Sequence, residues 1–560
     1  MYAAPIDRRD FLRRTAVLGA TLPLVGLAPV AAAQQAELVA RRVFFDNADY
    51  SNVRLSPDGQ QLAYIAPVGG VNNLWVAPVA DLGAARAVTR VTDRNVGSYY
   101  RWAYTNRHLV YFRERDGDEN WRAASVDIVS GAVFPLTPEQ GVKSFVQELD
   151  YKFPEEMLFR HNARDKRYFD LFRINVVTGA SELIFENPDY LGLITDSEFK
   201  LRLGSRLTAD GTSEIFERRP DGSWAPFMSV PIGDTDMTQI IDFSADGNTL
   251  YLIDSRDRDK AALFALDMST RQAKLLAADD EADIVHVTFD DHRRPLAARS
   301  VRDRVRWQAI DAAAKQDLTD LSRRSGDLSF LSYDLENRKA TVFYERDAEV
   351  SEFAVLDRET HQVRSLFPQR KALADVALRK MQPVIIPARD GLRLNGYLTQ
   401  PATAEGGGGR WPMVLVIHGG PYLRDNWGFN STHQWLANRG YAVLSVNYRG
   451  STGFGKAFIK AADREWGGKM HDDLIDAVDW AVAQGIADPG RVGFLGGSYG
   501  GYSALMAATK RRKCSPASST CSVFPISSPS WRRSRLIGGP GSASGRTGSA
   551  IPIPKPAAPS

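Results

Sequence analysis

Cysteine is nearly absent from this chain of 560 residues: Cys514 and Cys521 are the only two, both close to the C-terminal end. No disulfide framework therefore holds the body together. Histidine is scarce and one-sided, with eight in all and none after His471. His108, His161, His286 and His292 are scattered without ligand spacing, so neither a metal nor a cofactor is expected. Acidic residues also run out early, the last being Asp488. A long apolar run is lacking too: the stretch from Ala16 to Val30 is short and broken by Pro23 and Pro29, too poor for a membrane span. The formal net charge of +3 divides into +2 over residues 1–33, +8 over 511–560 and −7 over the rest. A body of that sign argues against a nucleic-acid partner.

What is present begins with a targeting signal. Asp7-Arg8-Arg9-Asp10-Phe11-Leu12-Arg13 has the twin-arginine form, and the short apolar run after it ends in Ala31-Ala32-Ala33. Residues 1–33 read as a twin-arginine signal peptide, exported already folded to the periplasm or beyond. An uncleaved N-terminal anchor is the alternative.

From about Ser51 to Leu373 the chain repeats itself loosely. Leu55-Ser56-Pro57-Asp58-Gly59 is a turn before the strand Gln61 to Ile65, and Asn73 to Val76 is a second strand. Phe243-Ser244-Ala245-Asp246-Gly247, Leu250 to Leu252 and Leu263 to Asp267 repeat the arrangement, with weaker copies elsewhere. A period of about 45 residues with several short strands per unit predicts a seven-bladed β-propeller over residues 40–375. Even spacing argues against two β-sandwiches. Glu155-Glu156 suggests an acidic clamp for a substrate amine, but it occupies a turn position, and an exposed turn is the favoured reading. Asp116-Gly117-Asp118-Glu119-Asn120 lacks the spaced ligands of a calcium loop and reads as a hairpin tip.

Near Gln382 strands begin to alternate with helices, which predicts an α/β domain over 382–510. Asp390 to Leu398 reads as a hairpin strand, and Gly406 to Gly409 lie in a flexible loop. Met413 to Ile417 and Ala442 to Val446 are continuous apolar strands of the kind buried on both faces of a sheet. A helix from Asp472 to Ala483 places Leu474, Ala477, Val478 and Ala481 on one face. Then comes the strand Val492 to Leu495 and Gly496-Gly497-Ser498-Tyr499-Gly500-Gly501. Gly-x-Ser-x-Gly between a strand and a helix is a nucleophile elbow. Gly496 and Gly500 leave room for the bend, Gly501 lets the helix approach the strand, and Ser498 projects above the sheet. The Tyr499 N–H is one candidate oxyanion donor.

His418-Gly419-Gly420-Pro421 ends an earlier strand and matches an esterase-type oxyanion loop, with an N–H near Gly420 as second donor. His418 precedes the serine and reads as a loop-shaping residue. Gly450-x-x-Gly453-x-Gly455 lacks the acidic partner of a dinucleotide fingerprint. His471-Asp472-Asp473 reads as an exposed helix start whose acids favour the helix dipole.

Together these pieces resemble the prolyl-oligopeptidase family of serine peptidases, in its exported dipeptidyl-aminopeptidase and acylaminoacyl-peptidase branch. Asp390-Gly391 with Gly396-Tyr397-Leu398, His418-Gly419-Gly420-Pro421, Asn447-Tyr448-Arg449-Gly450-Ser451, the Asp472-Asp473 helix with Trp480 and the elbow carry the likeness. The resemblance implies a propeller capping an α/β-hydrolase domain, short peptides as substrates, and Ser498 as the acylated nucleophile with an aspartate and a histidine after it. This sequence departs there, since nothing after Ser498 is a histidine, aspartate or glutamate. Without a base the hydroxyl is a poor nucleophile, so a chain inactive as written is expected.

From Arg511 the composition turns to Ser, Pro, Gly and Arg. That change predicts either a reading frame lost near Lys510, leaving the hydrolase domain incomplete, or a genuine disordered tail. An esterase or acyltransferase and a non-catalytic propeller that binds peptides or partners are the other readings.

Overall fold

The computed structural model describes residues 38–138, 140–402, 410–510 and 522–523. Residues 1–33, expected to be an export signal, both cysteines, the glycine loop 406–409 and nearly all of the 511–560 tail lie outside these.

Seven antiparallel sheets follow one another between Ser51 and Pro368. Six have four strands each; the sixth blade has three, Ile284–Phe289, Pro295–Val301 and Val305–Ala309, with the helix Ala312–Leu321 packed on its outer strand. The turns explain the repeat. In the first blade the Ser56 hydroxyl and the Gln60 N–H donate to Asp58 Oδ1, at 2.5 and 3.0 Å, and Gly59 takes φ +68°. Ser244, Asn248, Asp246 and Gly247 reproduce this in the fifth blade, with distances of 2.5 and 3.1 Å and φ +71°. An aspartate thus satisfies the turn and a glycine takes its left-handed position. The ring closes by side-by-side contact, the Leu55 N–H donating to Ser332 Oγ at 2.9 Å.

The two acidic stretches of the propeller are structural. Glu155 lies exposed in a turn, whereas Glu156 opens the strand Glu156–His161 and pairs with Arg173. Asp116 to Asn120 occupy the hairpin tip between His108–Arg113 and Arg122–Asp127.

The second domain is one sheet with helices on its faces. Its strands are β1 (Met381–Pro387), β2 (Arg393–Thr399), β3 (Trp411–Ile417), β4 (Ala442–Asn447), β5 (Ala487–Gly496) and β6 (Ser522–Val523). They stand in the order β1-β2-β4-β3-β5-β6, antiparallel as far as β4 and parallel beyond it. Asp390 and Gly391 form the turn between β1 and β2 rather than part of the strand, Gly391 taking φ +87°. The helices are α1 (Ser431–Ala437), α2 (Lys456–Lys460), α3 (Lys469–Ala483) and α4 (Tyr499–Lys510). Leu474, Ala477, Val478 and Ala481 of α3 meet Leu415, Leu444 and Phe494 of the sheet in one buried cluster. The tail is not wholly without structure: Ser522 and Val523 pair with Gly493 and Phe494, covering part of the edge of β5.

The reading of His471-Asp472-Asp473 as an exposed helix start needs correction. Asp472 lies in the first turn of α3, but His471 and Asp473 are buried. Asp473 faces inward because Arg449, at the end of β4, reaches it with two nitrogens at 2.7 and 2.9 Å. The same guanidinium binds Asp390 in the β1–β2 turn at 2.9 and 3.1 Å.

The glycines at 450–455 have a role of another kind. Gly453 and Gly455, at φ +91° and +94°, shape a loop that docks on the propeller. The Gly455 N–H donates to Asp283 Oδ2 at 2.9 Å, the Ala457 N–H to Asp259 Oδ1 at 2.7 Å, and Lys456 pairs with Asp234 at 2.5 Å. Beside it Arg424 donates to the Val301 and Arg302 carbonyls at 2.5 and 2.6 Å.

Candidate active site

Ser498 stands between β5 and α4 in a left-handed conformation, φ +56°, and its side chain is exposed. A non-glycine residue is strained there, and the surroundings must hold it. They do so by close approach. A methyl group on Gly496 would lie 2.5 Å from the Gly500 carbonyl carbon, and one on Gly500 would overlap the Ile417 carbonyl oxygen at the end of β3. Gly501 passes the Gly496 oxygen with only 3.3 Å to spare for a Cβ. The three glycines singled out in the sequence thus let helix and strand cross tightly enough to turn the serine outward. The Tyr502 N–H closes the first turn of α4 on the Ser498 carbonyl at 3.0 Å, so the Tyr499 N–H stands among the uncommitted donors of a helix start.

The loop from His418 to Pro421 runs directly against this bend. A Cβ on Gly419 would be 3.4 Å from Ser498 Cβ and 4.0 Å from its Oγ. Gly420 is exposed at φ +120°, and its bond to Pro421 is cis. His418 braces the loop: Nδ1 donates to the Gly419 carbonyl at 2.8 Å, Nε2 lies 2.9 Å from the Ser451 hydroxyl, and the ring stacks on Tyr448 at 4.4 Å. Tyr448 in turn donates to the His418 carbonyl at 3.0 Å. Burial pushes the His418 imidazole down to about 4, so it stays neutral. These contacts leave it a loop-shaping residue.

Other histidines are equally committed to structure. His433 is enclosed between the Thr399 and Ser445 hydroxyls at 3.0 and 2.8 Å, and burial pushes it down to about 3. His286 is pushed as low by burial inside the propeller. Among the described residues no hydrogen bond reaches the Ser498 hydroxyl, and none forms a cluster suited to a metal ion. No helix among them is long and apolar enough to cross a membrane.

One feature had no counterpart in the sequence reading. Trp466, 55% exposed, packs edge-on against Tyr499 at 4.9 Å and beside Tyr502 at 5.8 Å, laying an aromatic surface along the elbow helix. Tyr502 was visible in the elbow stretch, but Trp466 lies in a loop where no periodicity marks a facing side chain.

Residues 427–515 match the prolyl oligopeptidase family. Dipeptidyl aminopeptidase BIII of Pseudoxanthomonas mexicana is 38% identical over 517 residues, covering 90% of this chain and 75% of that protein. Dipeptidyl peptidase family member 6 of Caenorhabditis elegans is 27% identical over 528 residues, 87% of this chain and 71% of that one. Among solved structures, a puromycin-hydrolyzing peptidase of Mycobacterium tuberculosis superposes with a TM-score of 0.63 at 19% identity, over 88% of this chain and 79% of its own. That likeness extends across propeller and hydrolase domain together and concerns the fold.

Proposed function

The chain belongs to the prolyl oligopeptidase family of serine peptidases, and from that membership we propose a dipeptidyl-aminopeptidase site at Ser498 acting on short peptides with a free N-terminus. The observation that carries the proposal is the left-handed, exposed Ser498 set against the His418–Pro421 loop. In this reading Ser498 Oγ attacks the carbonyl carbon of the second residue, the C–N bond to the third residue breaks and its amine leaves with a proton, and water then hydrolyses the acyl-enzyme to release the dipeptide. The Tyr499 and Gly420 N–H groups hold the oxyanion, each contributing on the order of 3 kcal/mol to the transition state.

The proton of Ser498 needs an acceptor, and the family order places an aspartate and then a histidine after the serine. These 560 residues hold neither after that point. We therefore propose that this polypeptide builds the elbow and the oxyanion cradle while leaving the hydroxyl unactivated. The same observation favours a second reading, a peptide-binding protein that retains a catalytic scaffold. The Asp7–Arg13 twin-arginine pattern supports export to the periplasm or beyond.

A fluorophosphonate probe tests the site. Labelling of Ser498 is expected to be negligible in buffer and to rise when imidazole supplies the missing base. A free-amine dipeptide amide should protect better than its N-acetylated form. Rapid labelling without imidazole would contradict the missing acceptor, and equal protection by the acetylated peptide would contradict the substrate class.

A further inference from the structure

Trp466 stands in the open beside the nucleophile elbow, and its loop keeps it there. That loop joins α2 to α3, and Arg464 takes a left-handed φ of +60° within it. The Gly468 N–H donates to the Glu465 carbonyl and the Lys469 N–H to Glu465 Oε2, both at 2.9 Å. Gly467 passes so close to α4 that a Cβ would lie 3.0 Å from the Tyr502 hydroxyl and 3.3 Å from Met506 Cε. A strained residue beside so tight a crossing persists only where the surroundings fix it. The indole is therefore carried on a fixed backbone.

Tyr499 relates that indole to the reacting centre. Its N–H is the first oxyanion donor, and its side chain leaves little surface of its own. The residue is 4% exposed, packed against Tyr448 at 5.5 Å and Trp466 at 4.9 Å. A ligand on that flank of the serine thus meets the Trp466 indole, with Tyr502 beside it at 5.8 Å. Across the serine, the loop that comes closest does so through Gly419, which has no side chain to offer. A carbonyl oxygen held at the Tyr499 N–H belongs to a residue whose side chain branches from the adjoining Cα. One extended residue spans only about 3.3–3.6 Å, so that side chain is the substrate group closest to the aromatic face. Aromatic surface gives apolar groups at a binding site both contact area and a preferred edge-on geometry.

On the reading of Ser498 as a dipeptidyl-aminopeptidase site, we propose that Trp466 receives the side chain of the second residue of the peptide and selects a large apolar one. A phenyl ring packed on the free part of the indole meets this requirement best.

Calorimetry on the full chain tests it, with glycyl-phenylalanine amide, glycyl-alanine amide and N-acetyl-glycyl-phenylalanine amide as probes. Binding needs no proton acceptor, so an unactivated serine does not hide the effect. The phenylalanine amide is expected to bind at least tenfold more tightly than the alanine amide. Trp466→Ala should remove most of that difference, with the affinity for the alanine amide within twofold and the melting temperature unchanged. Trp466→Phe, which keeps a smaller ring, should reduce the preference severalfold and carries the test if the alanine variant misfolds. Equal affinity of the two free-amine amides, a preference undiminished in a folded variant, or no binding of either at millimolar concentration would overturn it. An acetylated peptide that binds as tightly as the free amine, with the dependence on Trp466 intact, would remove the aminopeptidase reading and keep the role of Trp466.

Discussion

Ser498 shows how one strained residue is held by neighbours that have no side chains. Its φ of +56° persists because Gly496 and Gly500 let β5, α4 and the end of β3 approach within van der Waals contact. Gly500→Ala should therefore destabilise the domain by about 3 kcal/mol, read as a fall in denaturation midpoint, since the added methyl would overlap backbone, the Ile417 carbonyl, rather than a flexible side chain. This feature was legible in the sequence, because the bend tolerates only small residues at fixed offsets. Glu345 was not. It ends a strand of the last blade with nothing to mark it, yet it is half-buried and accepts the Phe429 N–H of the hydrolase domain at 3.0 Å. Burial pushes its carboxyl up to about 7 from an ordinary value of 4.5. A raised folded-state value means that its contribution to stability is fully present below pH 4.5 and is lost as pH rises through 7. Relative to the wild type, Glu345→Gln should gain stability steadily between pH 5 and pH 8 in urea titrations. A difference that does not change with pH would contradict the assignment.

Between elements, Arg449 joins the end of β4 to α3 and to the β1–β2 turn through Asp473 and Asp390. Burial opposes its charge, but the hydrogen bonds to the two carboxylates outweigh that and hold its proton more tightly. Removing one partner of a buried pair leaves the other charge enclosed, so Asp473→Asn should cost about 3–5 kcal/mol in denaturant unfolding. A change under 1 kcal/mol would show that the pair is not buried in solution. The reading of Asp473 as a solvated cap failed because dipole-favoured acids and inward-facing acids share the same position at a helix start. The strands themselves were more transparent. Met413–Ile417 and Ala442–Val446 are apolar without interruption because both faces are covered, and the Asp-Gly turns announce the blades. The sixth blade is different: Asp311 caps the helix Ala312–Leu321 by accepting the Ala314 N–H at 2.7 Å. That cap lies inside a stretch whose regular spacing suggested only strands.

Across the two domains, contacts fall on loops. Gly455, Ala457, Lys456 and Arg424 grip the propeller through backbone atoms and single charges. Neither hydrophobic period nor motif encodes such contacts, which is why a glycine run that resembles a fingerprint proved to be a docking loop. The order of residues along the chain decides the chemistry. All eight histidines lie at or before His471, and those nearest the sheet are tied to hydroxyls, carbonyls or rings. On the proposed reading, in which the elbow has no proton acceptor, it can still bind a peptide and polarise its carbonyl, a residual advantage of about 10³–10⁴ over water. That advantage owes nothing to the serine oxygen. The most direct measurement compares hydrolysis of a dipeptidyl p-nitroanilide by the purified chain and by its Ser498→Ala variant. Equal, slow release from both is expected; rapid turnover by the chain that the substitution abolishes would mean that some residue does take the serine proton.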